Sequence, residues 1–234
     1  MKTRQIILGM LIFFMAVSPA YATPDLYSWM FNIDGVVTEY VNEYDTSGMP
    51  VNAALGTNDL GIFTYRVATQ GAHSFIGYFD YEFDEAQNTF FNERGSVSGS
   101  PGAGMSWQID TIDNLAAGNI FDNLYDNTLN NSNMIPDEGD ISWAMGWDYF
   151  LEANQAAVIR LVVSAVMPDA GFFLTHTDND TGESIYFSGI LDIQPVPEPQ
   201  SLALLGLGCV MLFLARGMSS RFRNRKGKCI AGNM

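Results

Sequence analysis

The sequence predicts an all-β protein: an antiparallel β-sandwich or jelly roll, followed by a single C-terminal transmembrane helix. Three observations lead there. Aromatic β-formers run through the chain, with 16 Phe, 10 Tyr and 4 Trp in 234 residues. Short runs of alternating or continuous apolar residues recur between Gly-, Asn-, Asp- and Pro-containing turns, which is the pattern of many short strands. A composition break after residue 193 then leads into alternating prolines, an apolar run and a basic end.

Taken in order, residues 26–33 and 36–41 flank Asp34-Gly35, a dipeptide suited to a two-residue turn with positive φ, and predict a hairpin. In 61–69, Phe63, Tyr65 and Val67 share one face. In 73–84, Phe75, Phe79, Tyr81 and Phe83 face one side, and Ile76, Tyr78, Asp80, Glu82 and Asp84 face the other. Further strands are expected at 104–110, 141–152, 156–167, 171–177 and 184–193. The run 158–166 is the most continuously apolar and predicts a central strand buried on both faces. Only 119–130 admits a turn or two of helix, because its Asn and Asp content opposes a longer one. Residues 96–104 (SVSGSPGAG) predict a flexible loop, 131–140 a polar loop around Pro136, and 177–183 a tight acidic turn.

The two ends stand outside this domain. Lys2 and Arg4, an apolar run from Ile6 to Val17, and Ala20-Tyr21-Ala22 describe a signal peptide over 1–22, with cleavage between Ala22 and Thr23. The β-sandwich is assigned to 23–194 and a Pro-rich spacer to 195–200. All 26 acidic residues lie between the two ends, against three arginines there: Arg66, Arg94 and Arg160. So acidic a surface repels phosphate backbones and excludes nucleic acid as a partner. The domain has no cysteine, since Cys209 and Cys229 lie beyond it, so disulfides do not staple it.

Pro195, Pro197 and Pro199 alternate and hold the spacer extended. Residues 201–215 form the apolar segment, and 216–234 form a basic tail with Arg216, Arg221, Arg223, Arg225, Lys226 and Lys228. The basic side of a membrane helix stays cytoplasmic, which puts the domain on the far side. At ~1.5 Å per residue the segment spans only ~22 Å of a ~30 Å hydrocarbon layer, which suits a transient anchor.

Pro197-Glu198-Pro199, the helix 201–215 and the arginine cluster, in that order, resemble the PEP-CTERM sorting signal of Gram-negative bacteria. The resemblance implies recognition by exosortase, a membrane enzyme that processes its clients for release or attachment outside the cell, and a link with exopolysaccharide. It implies nothing about chemistry within 23–200.

There the residues offer little catalysis. His73 and His176 lack the companions a zinc site needs. The run at Gly95–Gly99 has the wrong spacing for a nucleophile elbow, and no phosphate-binding glycine loop occurs. Asp80, Glu82 and Asp84 on one strand face offer paired carboxylates for glycan hydrolysis, or else a solvated acidic face. Asp178-Asn179-Asp180-Thr181-Gly182 offers oxygen ligands for calcium through Asp178 and Asp180; an ordinary hairpin turn accounts for the same residues. Trp29, Trp107, Trp143 and Trp147 are either sugar-stacking platforms or core. The function expected is that of a non-enzymatic surface or matrix protein with no cofactor unless calcium. The alternatives are a polysaccharide-binding module and a carboxylate-dependent glycan hydrolase. N-terminal sequencing of the exported protein should read from Thr23; a start at Met1, or within 26–33, would overturn the signal-peptide assignment.

Overall fold

In the structure, a computed structural model, residues 23–40, 45–56, 58–84, 91–111, 118–196 and 207–212 are described. The signal segment 1–22, the motif residues Pro197, Glu198 and Pro199, and the tail 216–234 lie outside them. The first hairpin forms as the sequence predicts. β1 (Thr23–Ile33) and β2 (Val36–Tyr40) join through Asp34 at φ 52° and Gly35 at φ 81°. Two successive positive φ values are what a right-twisted two-residue hairpin requires. The Asn32 side chain accepts from the Gly35 amide, and the Asp34 carboxylate accepts from the Ser74 amide at 2.8 Å, fixing the turn to the neighbouring strand.

The chain continues as β3 (Asn52–Leu55), β4 (Gly61–Val67), β5 (Gly71–Asp84), β6 (Glu93–Ser98), β7 (Met105–Asp110), α1 (Ile120–Tyr125), β8 (Ser132–Asn133), β9 (Ser142–Leu151), β10 (Gln155–Ser164), β11 (Phe173–Asp178) and β12 (Ser184–Pro195). These strands make two six-stranded sheets, ordered β2-β1-β5-β9-β7-β8 and β3-β4-β10-β12-β11-β6. All pairings are antiparallel except the short β7–β8 contact.

One core draws on both sheets, as in a sandwich. Trp29, Phe31, Phe75, Phe79, Tyr81, Trp143 and Trp147 from the first sheet meet Phe63, Ile159, Leu161, Leu174, Ile185 and Phe187 from the second. Phe79 sits at its middle. It packs edge-on to Phe31 and Phe187, with centroids 5.6 and 5.4 Å apart, and lies 4.5 Å from Phe63. Aromatic edge-to-face pairs add to the transfer energy of burial.

The outer face of the first sheet is covered as well. Met30, Ile76, Tyr78 and Ala144 form a second apolar cluster with Ile120 and Leu124 of α1 and with Leu129. Polar side chains hold the helix there. Asn32 Nδ2 donates to the Leu124 carbonyl, Asn123 Nδ2 donates to Gln108 Oε1, and Gln108 Nε2 donates to Asn119 Oδ1, each at 2.7 Å. β5 is therefore buried on both faces, where the sequence suggested one polar face.

Other expectations need correction. Residues 93–98, whose second half was assigned to a flexible loop, form β6. Gly95 has no Cβ, and one placed there would lie 2.5 Å from Ile109 Cγ2, so the glycine lets β6 close against β7. β3 and β8 are too short to announce themselves by alternation. β10 is internal to its sheet, but its outer face is half-exposed at Arg160, Val162 and Ser164 instead of buried. Residues 207–212 are helical and exposed, and among the described residues no helix is long and apolar enough to cross a membrane.

Two glycines make room for large side chains around Leu161. A Cβ on Gly77 would lie 2.7 Å from Leu161 Cδ1, and one on Gly189 would lie 2.9 Å from Leu161 Cδ2 and 2.5 Å from the Trp147 ring. Leu161 fills the space that both glycines vacate. Gly77→Ala should cost ~1–3 kcal/mol by overpacking, and Leu161→Ala ~2–5 kcal/mol by opening a cavity. In urea unfolding of the full chain, the double variant should cost clearly less than the two singles together, because the added methyl partly fills the cavity. Strict additivity would argue against this contact.

Candidate functional site

Because β5 alternates, the residues that oppose Tyr81 and Phe83 are Asp80 and Glu82. Expected either as a carboxylate pair for glycan hydrolysis or on a solvated face, they are 1% and 7% exposed. Asp80 pairs across the sheet with Ser28 of β1 on one side and Ser142 of β9 on the other, and both serines are fully buried. Ser28 Oγ donates to Asp80 Oδ2 at 3.1 Å. A bulge in β1 between Leu26 and Ser28 leaves Tyr27 as the extra residue beside this row. Asp140, half-buried just before β9, completes the group. One carboxylate oxygen from each of Asp80, Glu82 and Asp140 lies within 4.8 Å of the other two.

Asp80 Oδ1 and Glu82 Oε2 are buried and have no hydrogen-bond partner. Neither carboxyl pairs with an arginine or lysine among the described residues. Their protonation follows from this. Burial, then the charges of Glu82 and Asp140, hold the Asp80 carboxyl well above the usual carboxylate range. Burial, then Glu93 and Asp140, push Glu82 up to about 8. The Tyr27 hydroxyl is raised too, by its burial and then by Asp80, Glu82 and Asp140, which places it close to all three acids. Such a cluster either retains protons or accepts a cation. Hydrolysis of a glycosidic bond needs carboxyls that flank a substrate; Asp80 and Glu82 are both buried.

A second polar group sits nearby at the end of the sandwich core. Glu93, 1% exposed, accepts from the Ile141 amide at 3.1 Å, and its Oε2 lies 2.9 Å from His176 Nε2. Trp143 Nε1 donates to His176 Nδ1 at 3.5 Å, which leaves the imidazole proton on Nε2, toward Glu93. His176 is thus a core residue that links the two sheets. His73 lies far from it in the fold, between Asp34 at 2.9 Å and the Tyr149 ring.

At the acidic turn, Asp178 is buried and its carboxylate closes the turn. Oδ1 accepts from Asn92 Nδ2 at 3.0 Å and from the Asp180 amide at 2.9 Å, and Oδ2 accepts from the Thr181 amide and hydroxyl. Asp180 is exposed. The turn is held by protein donors in the manner of an Asx turn. Trp29, Trp143 and Trp147 are core residues, each no more than 3% exposed, and Trp107 packs partly buried against the same core. The first three are closed off from solvent, and Trp107 packs against Phe172 on one side. The cleavage residue Ala22 lies outside the described residues; Thr23 opens β1, paired with Asp84.

The buried acids set a sign for stability against pH. Glu82 and Asp80 hold protons in the folded chain that the unfolded chain releases near 4.5 and 3.8. Their contribution is complete below those values and is lost as pH rises through about 8, where folded Glu82 ionises. In the presence of a chelator, Tm of the full chain should fall between pH 5 and pH 9, and Glu82→Gln should flatten the fall. A slope unchanged by Glu82→Gln would contradict the assignment.

Neither a curated protein nor a solved structure matches the chain. A family model does, over residues 195–221. The matched stretch starts at Pro195, the last residue of β12, and takes in Pro197-Glu198-Pro199, the apolar run and the first arginines. Beginning where the folded domain ends, it identifies this chain as one that carries a PEP-CTERM protein-sorting motif.

Proposed function

We propose that this is an exported, non-enzymatic β-sandwich protein of the cell surface or extracellular matrix, associated with exopolysaccharide and processed by an exosortase-type membrane enzyme. One observation carries the reading: the sorting motif begins at the residue where the sandwich closes. β12 ends at Pro195, and among the described residues the Val196 amide, which donates to the Asn154 carbonyl at 2.7 Å, is the last tie to the domain. A membrane enzyme that reads the motif therefore leaves the sandwich untouched.

The apolar segment of 201–215 holds the precursor in the membrane until processing, and the basic tail keeps its cytoplasmic side. A non-enzymatic role is consistent with the depth of the paired carboxyls and with the engaged state of both histidines. An acidic exterior suits a hydrated polymer matrix, where it keeps the protein soluble and apart from anionic lipid.

Changing Pro197-Glu198-Pro199 to three alanines tests the assignment. A plain tail anchor requires only an apolar helix and a positive flank, so it would be indifferent to the change. In a host that has the sorting enzyme, the wild-type chain should lose residues 201–234 and leave the cell. The triple-alanine chain should stay in the membrane at precursor size. Immunoblots of membrane and medium fractions read the outcome, and equal processing of the two forms would refute the proposal.

A further inference from the structure

We propose that Asp80, Glu82 and Asp140 form a calcium-binding site set into the outer face of the first sheet. The site rests on the β-sandwich alone and does not depend on the sorting route.

Unmet buried oxygens, more than the proximity of acids, mark this site. Asp80 is 1% exposed and Glu82 7%, yet Asp80 Oδ1 and Glu82 Oε2 have no donor, although both residues belong to a group in which one oxygen from each member lies within 4.8 Å of the other two. Buried polar atoms are almost always satisfied, and a buried carboxylate without a partner is among the costliest exceptions. The second Asp80 oxygen is oriented by Ser28, so the free one is held in place and does not drift toward water. No arginine or lysine among the described residues comes to Asp80 or Glu82. A bound cation would give these oxygens the partner that the protein side chains do not.

The donor set names the ion. Three carboxylates with neighbouring hydroxyls are hard oxygen ligands, with no thiolate or imidazole among them. His176, the nearest imidazole, is engaged with Trp143 and Glu93. Calcium binds oxygens at ~2.3–2.6 Å, so two ligands on opposite sides of it stand up to ~5 Å apart. The observed spread of up to 4.8 Å fits that span. Magnesium demands near-octahedral geometry and keeps several waters, which suits a site as deeply buried as Asp80 and Glu82 less well. Asp140 is the half-buried member and lies on a connection, not within a strand, so it offers the ion a way in. The chemistry differs from that of the acidic turn at Asp178, whose oxygens already receive four protein donors.

Equilibrium dialysis of the chelator-stripped full chain in detergent against CaCl₂, with thermal unfolding in parallel, tests the site. One calcium should bind per chain. With a Kd of ~0.1 mM, in the range of extracellular modules, 10 mM CaCl₂ should raise the folded-to-unfolded ratio ~100-fold. Magnesium should do distinctly less. Asp140→Asn alters a half-buried residue on a connection and should fold, bind no calcium and lose the thermal response; Glu82→Gln should do the same. Asp180→Ala should keep both. No binding at 10 mM CaCl₂ would overturn the site. So would unchanged binding in Asp140→Asn and Glu82→Gln, or a loss confined to Asp180→Ala, which would place calcium at the acidic turn instead.

Discussion

The fold depends on β5 being buried on both faces. Its inward residues Phe75, Phe79, Tyr81 and Phe83 anchor the core between the sheets, and its outward residues Ile76 and Tyr78 anchor the layer under α1. No disulfide assists the domain, so the apolar area gathered around this strand must outweigh the conformational entropy of ordering the chain. The same constraint creates the polar site. A strand covered on both sides buries whatever its sequence places there, and at positions 80 and 82 the sequence places acids.

Much of the architecture could be read from residue patterns, because those patterns are local. Asp34-Gly35 specified its hairpin, and the alternation from Phe75 to Phe83 specified the inward face of β5. The short helix at Ile120–Tyr125 fell within the one segment that tolerates it. What escaped was set at a distance. The polar face at Asp80 and Glu82 read as solvated because its cover, α1 and the connections around Asp140, lies tens of residues away in sequence. The second half of β6 read as a loop because its Ser/Gly-rich sequence looks flexible, whereas the absent Cβ of Gly95 just before it is what admits Ile109.

The candidate site shows the same limit. Its members come from a strand and a distant connection, and Asp140 had no feature to single it out from the other acids of the chain. The visible signal, alternate acids on a strand, marked Asp80 and Glu82 but suggested catalysis, since sequence cannot tell a covered face from an open one. The acidic turn illustrates the converse. Asp178 and Asp180 have the spacing of ligands, yet Asp178 closes the turn with its own oxygens, as local Asx chemistry favours. The sorting motif needed no tertiary information, because an enzyme reads it as linear sequence.

The placement of β12 bears on how the domain would carry a mechanical load. The strand that leads into the motif is internal, flanked by β10 and β11 and antiparallel to both. Its register with β10 runs from Pro195 opposite Gln155 to Tyr186 opposite Ser164. A pull exerted at the C-terminal end therefore acts along the strand axis, so the ladder rungs share the force in shear and do not open one after another. A tether fixed to an edge strand such as β3 or β6 would peel. Joined through β12, the sandwich would meet such a pull with a ladder that runs the full length of β10.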